Sequence, residues 1–100
     1  MIFSTLNLGM KEIEAHIYGN VQAVGFRQYT KKHADKIGIV GWVKNLDDGS
    51  VECVAQGKEA ELKIFVGHIQ KGPYFADVDN AMIDWHDDPQ DVLSEFEIII

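Results

Sequence analysis

The chain contains one cysteine, two prolines and few positive charges. A single cysteine, Cys53, excludes an intrachain disulfide. No apolar run approaches the length of a membrane span. Nine lysines and arginines stand against sixteen aspartates and glutamates, for a formal net charge of −7. That balance argues against general binding to nucleic acid or to an anionic membrane, because both need a cationic surface. It leaves room for a small anion held by a local cluster of donors. No internal repeat or low-complexity segment is evident.

What is present fits one soluble domain. One hundred residues can bury a single core, and 46% hydrophobic with 25% charged residues is ordinary for a globular chain. Residues 1–9 are mildly apolar but lack a basic start and a cleavage site. They are expected to form a short extension before a domain spanning residues 10–100. The expected location is the cytoplasm and the expected state a monomer.

Hydrophobic spacing outlines the elements. Ile13, Ala15 and Ile17 alternate with Glu12, Glu14, His16 and Tyr18, which predicts a half-buried strand over 12–18. A loop is expected from Gly19 to Gly25. Phe26, Thr30, Ala34 and Ile37 then fall at helical spacing, and Gly38 stops that helix. Residues 39–46 read as a strand, Asp47-Asp48-Gly49 as a hairpin turn, and 51–56 as the returning strand, ended by Gly57. Leu62, Phe65, Val66 and Ile69 predict a second helix, closed by Gly72-Pro73. A fourth strand is expected over 76–85 and a closing strand around Phe96, Ile98 and Ile100. The order β-α-β-β-α-β, plus a terminal strand, predicts an α+β ferredoxin-like sandwich: a mainly antiparallel sheet with two helices on one face.

The stretch between the first strand and the first helix carries the candidate chemistry. Loop N–H groups from Gln22 through Ala23, Val24, Gly25 and Phe26 to Arg27 can converge on one anion. The start of the helix adds unpaired donors and partial positive charge. Arg27 offers a planar fork suited to two oxygens of one group. From these residues alone, a phosphate cradle and an ordinary strand-to-helix connection with a surface arginine both stand. Asn45 similarly reads either as an amide able to orient a water or as an asparagine leading into a turn.

Two ordered motifs separate these readings. Val21-Gln22-Ala23-Val24-Gly25-Phe26-Arg27 resembles the V-Q-G-V-x-F-R signature of the acylphosphatases. Gly38-Ile39-Val40-Gly41-Trp42-Val43-Lys44-Asn45 resembles that family's G-x-x-G-W-V-x-N signature. The likeness continues through Asp48-Gly49-Ser50-Val51, Gln56-Gly57, Gly72-Pro73 and Ser94–Ile98. Ala23 departs from it, standing where the family usually has glycine. The resemblance implies the same sandwich fold and hydrolysis of acyl phosphates to a carboxylate and inorganic phosphate. It implies a phosphate held by the backbone of Gln22–Arg27 and by the Arg27 side chain, with the nucleophilic water positioned by Asn45. With that set complete and no persuasive metal cluster in the sequence, no cofactor and no metal are expected. The partners expected are a small acyl phosphate and inorganic phosphate, the latter as product and inhibitor.

Other constellations are weaker. Cys53 lies in an alternating strand, where a lone cysteine is a small buried hydrophobe. His16, His33, His68 and His86 form no ligand pair at i, i+4. Asp84, His86, Asp87 and Asp88 read as a solvated acidic loop without recognised ligand spacing. Two further function classes remain as alternatives. One is a non-catalytic phosphate or acyl-phosphate sensor, suggested by Ala23. The other is a ferredoxin-like RNA-binding module stacking bases on Tyr18 and Trp42. The second lacks the basic, glycine and aromatic pattern of such modules.

Overall fold

Alternating apolar residues build one face of a sheet, and two helical stripes cover it. The computed structural model describes residues 9–89 and 91–100. Among these, the elements run β1 (Met10–Asn20), α1 (Phe26–Ile37), β2 (Val40–Asn45), β3 (Val51–Lys58), α2 (Glu59–Lys71), β4 (Asp77–His86) and β5 (Phe96–Ile99). The sheet order is β4-β1-β3-β2-β5. Every neighbouring pair is antiparallel except β2 with β5, which is parallel. This is the expected ferredoxin-like α+β sandwich with its terminal strand added at an edge. Apart from Gly9, the extension expected over residues 1–9 lies outside the described residues.

The core follows from the two periodicities. Ile13, Ala15 and Ile17 of β1 and Val51, Cys53 and Ala55 of β3 point to the helices. They meet Phe26 and Ala34 of α1 and Leu62, Phe65 and Ile69 of α2. Each large aliphatic or aromatic side chain so buried is worth about 1.5–3 kcal/mol. Thr30 sits fully buried on α1 because its hydroxyl donates to the Phe26 carbonyl at 2.8 Å. α1 stops where the Gly38 N–H donates to the Ala34 carbonyl at 2.8 Å with Gly38 at φ 94°.

Strand boundaries differ from the sequence expectation by one or two residues, and two of the differences involve glycines. The first strand runs on to Asn20 rather than stopping at Tyr18, because Gly19 and Asn20 pair with Val78 and Asp77 across a bulge. The connecting loop is therefore residues 21–25. The return strand runs through Gly57 to Lys58, which pairs with Met10, so Gly57 does not end it. Gly41 has a steric reason to be glycine: a Cβ there would collide with the Val54 carbonyl of β3. Its N–H also receives the chain before β5, donating to the Glu95 carbonyl at 2.9 Å.

Gln56 is only 1% exposed yet fully engaged. Its amide donates to Glu12 at 2.9 Å and to the Asp91 carbonyl, and its oxygen accepts from the Leu93 N–H at 2.9 Å. Those contacts fix the segment leading into β5, and β5 forms one side of the cleft described next. Among the described residues, no helix is long and apolar enough to cross a membrane.

Candidate active site

The loop after β1, the start of α1, the end of β2 and β5 enclose a cleft of about 410 Å³. Ala23, Gly25, Phe26 and Arg27 line it from the loop and α1. Asn45 lines it from β2, and Ile98 and Ile100 from the closing strand. Arg27 and Asn45, eighteen positions apart in the chain by their numbering, thus share one cavity.

The backbone of the loop is shaped to present donors. Ala23 has φ 59° and Gly25 has φ 79°, both left-handed, on either side of Val24. Interposed left-handed residues turn successive N–H groups toward a common point. Gly25 is the N-cap of α1, and no side chain caps that helix. No acidic residue occupies its first turn. The unpaired N–H groups and positive pole at this end are therefore left for an external anion.

The two side chains that do not line the cleft hold the loop in place. Val24 packs against the core. Gln22 donates through its amide nitrogen to the carbonyls of Leu46 and Ser50, at 2.7 and 2.8 Å. These carbonyls stand at the mouth of the β2–β3 hairpin, where the Leu46 N–H donates to Ser50 at 2.9 Å. Asp48 orders the turn by accepting the Ser50 N–H at 2.9 Å, and the Ser50 hydrogen bonds hold its carboxyl below the usual range. The loop and the strand end that bears Asn45 are thereby tied together.

Arg27 is half-buried and donates through Nη1 to the Ile99 carbonyl at 3.3 Å. Among the described residues no carboxylate forms an ion pair with it. Its positive charge is thus uncompensated at the cleft. Asn45 Oδ1 is buried with no hydrogen-bond donor in reach. An orphaned acceptor costs about 1–3 kcal/mol unless a ligand or water supplies the missing donor. The cleft therefore combines anion-binding groups with an unfilled acceptor, which suits a phosphoryl group and a water beside it.

The other candidate residues do not line this cleft. Cys53 is 1% exposed, and burial pushes its thiol far up, so it is inert packing. His33 and His68 stack on each other at 3.9 Å between the helices. His86 lies 3.2 Å from Glu14, and Lys11 takes Asp87 at 2.8 Å. Among the described residues, no group of three or more histidine, cysteine, aspartate or glutamate side chains is placed to hold a metal. Tyr18 and Trp42 do share the open face of the sheet, yet β3 separates their strands, and Glu12, Glu14, Glu52, Asp84 and Glu97 share that face.

Sequence reasoning missed Ile100 and the side-chain role of Gln22. Parity could have flagged the first, since Ile98 and Ile100 share the face of buried Phe96. No local pattern reveals the second, because its acceptors lie 24 and 28 residues away.

Comparison with known proteins identifies the family. The acylphosphatase family profile matches residues 13–98. An acylphosphatase of Thermococcus kodakarensis is 41% identical over 80 residues, covering 78% of this chain and 88% of the relative. One from Geobacillus kaustophilus is 42% identical over 86 residues, covering 86% and 87%. The crystal structure of the Bacillus subtilis acylphosphatase superposes with a TM-score of 0.86 at 34% identity, covering 90% of this chain and 99% of that one. With a family profile spanning residues 13–98 and relatives above 40% identity over most of its length, the chain belongs to the acylphosphatase family.

Proposed function

We propose that this chain hydrolyses acyl phosphates, with the work divided between a phosphate cradle and a water-positioning amide. The observation that carries the reading is the shared cleft: an arginine with no carboxylate partner among the described residues and uncapped helix N–H groups on one wall, an orphaned amide oxygen on another. Backbone N–H groups of Gln22–Arg27 and the Arg27 guanidinium bind the phosphoryl oxygens. Asn45 Oδ1 accepts one hydrogen of a water, which aims a lone pair of that water at phosphorus. The water oxygen bonds to phosphorus as the phosphorus–oxygen bond to the acyl group breaks, and the bond's electrons leave on the carboxylate. The products are a carboxylate and dihydrogen phosphate, with the same total charge as the reactants. Because the carboxylate is a good leaving group, no strong base is required. Fixed donors that stabilise charge on the phosphoryl oxygens supply the larger share of the acceleration.

The domain responsible is residues 10–100, acting as a monomer in the cytoplasm, without nucleic acid and without a metal. The test is turnover of an aryl acyl phosphate before and after dialysis against a chelator. Equal rates, with competitive inhibition by inorganic phosphate, are expected. Loss of activity restored by a divalent cation contradicts the mechanism. Phosphate binding without any turnover would favour a sensor, the reading that Ala23 at φ 59° keeps in view.

A further inference from the structure

We infer that Lys31 is a positioning residue for the phosphate-binding arginine: its ammonium clamps β5 to α1 and so holds the carbonyl that orients Arg27. The inference rests on the phosphate cradle proposed above and adds a residue behind it. Arg27 and Lys31 lie one turn apart on α1, so both side chains leave the same face of the helix. Both reach β5. Lys31 Nζ donates to the Phe96 carbonyl at 2.8 Å, and Arg27 Nη1 donates to the Ile99 carbonyl at 3.3 Å. The second contact is longer than the usual separation of about 2.9–3.0 Å, so a small retreat of β5 breaks it. The guanidinium then loses the acceptor that fixes its fork, and ordering it again on phosphate costs side-chain entropy.

β5 is short and needs such a clamp. It is four residues long and lies at the sheet edge beside β2. Several anchors sit at or before Phe96. Gln56 accepts the Leu93 N–H, the Gly41 N–H donates to the Glu95 carbonyl, and the Phe96 ring stands edge-on to Phe65 at 6.0 Å. Beyond Phe96, the contacts among the described residues are the ladder to β2, the partly buried Ile98 and the Arg27 bond. Lys31 therefore grips β5 where its anchored start passes into the segment that Arg27 uses. Asp35, a further turn along α1, steadies the ammonium at 3.1 Å. A hydrogen bond from an ionised donor is stronger than one between neutral groups, which suits this duty.

The experiment titrates inorganic phosphate into the full chain and into Lys31→Met, Lys31→Arg and Lys32→Met, with acetyl phosphate kinetics and thermal midpoints for each. Lys31→Met should raise the phosphate Kd by about three- to tenfold, the range of one hydrogen bond's net worth, and lower kcat/KM at least as far. Lys31→Arg keeps charge and donor and should stay within about twofold of the parent. Lys32→Met removes the same charge from the neighbouring, exposed position and should also stay within about twofold. Unchanged phosphate affinity in Lys31→Met, whatever its thermal midpoint, overturns the inference. So does equal weakening in Lys31→Met and Lys32→Met, which would make the effect one of net charge, or an arginine variant no better than the methionine one. A parent that binds phosphate but does not turn over acetyl phosphate overturns the hydrolytic reading, and the titrations still decide the role of Lys31. A folded parent that binds no phosphate overturns both.

Discussion

Gln22 and Leu46 are joined across 2.7 Å, from side-chain amide to backbone carbonyl. The bond ties the cradle loop to the residue directly after Asn45, so the two halves of the cleft cannot drift apart independently. Gln22→Glu preserves size but removes the donor and sets a carboxylate against two carbonyl oxygens. Both carbonyls keep a backbone donor, the Gly49 N–H on Leu46 and the Leu46 N–H on Ser50, so the two lost amide bonds cost about 0.5–1.5 kcal/mol each. The expected result is a lower thermal midpoint together with a fall in kcat of about ten- to a hundredfold, the scale of a misplaced reacting group. Steady-state kinetics and thermal denaturation of the variant check this. Full activity in the Glu variant contradicts the brace.

Ala23 lies at φ 59°, a region that costs a residue with a Cβ about 1–2 kcal/mol. Glycine relieves that strain but adds about 0.5–1 kcal/mol of chain entropy to be lost on folding. Ala23→Gly should therefore raise stability by at most about 1.5 kcal/mol on these two terms. Because the N–H donor stays in place, kcat/KM should stay level or rise by no more than about a decade, which corresponds to 1.4 kcal/mol. Denaturant unfolding and kinetics on one acyl phosphate test both numbers. A clear loss of stability and of activity in the glycine variant contradicts the described loop geometry.

His33 is held below its ordinary value of 6.5, first by burial and then by the imidazole of His68 and the amines of Lys36 and Lys32. Tyr29 adds an edge-on ring at 4.5 Å. The folded chain thus favours the neutral imidazole, while the unfolded chain takes up the proton first as pH falls. This contribution to stability is complete above about pH 6.5 and declines on acidification below it. Thermal midpoints measured between pH 8 and 5 should fall below that point, on the titration range of an unperturbed histidine. His33→Gln should flatten the decline. Equal slopes in parent and variant contradict the assignment.

Much of this architecture was legible because its signals are local. The stripe of Leu62, Phe65 and Ile69 and the alternation of Ile13, Ala15 and Ile17 depend only on period. Arg27 and Asn45 were legible through the order of their neighbours, and Gly41 now has a cause in its contact with Val54. What stayed hidden depends on contacts distant in sequence. The parallel pairing of β5 with β2 brings Ile98 and Ile100 to the cleft; local parity gives their face of the sheet, and only the pairing gives their place beside the β1–α1 loop. Gly19 looked like a loop glycine because its partner, Val78, lies almost sixty residues on. The left-handed conformation of Ala23 is set by the loop as a whole, against the preference of the residue itself.

The division of labour between Arg27 and Asn45 is the central claim, and phosphate titration of Asn45→Ala alongside its turnover tests it most directly. In the proposed mechanism Asn45 supplies an acceptor for water and no part of the cradle. The variant should bind inorganic phosphate as the parent does while kcat falls by about two orders of magnitude, the loss typical of one positioning or polarising group. Arg27→Ala, titrated in the same way, should lose both phosphate binding and turnover. Equal loss of phosphate binding in the two variants would contradict the account.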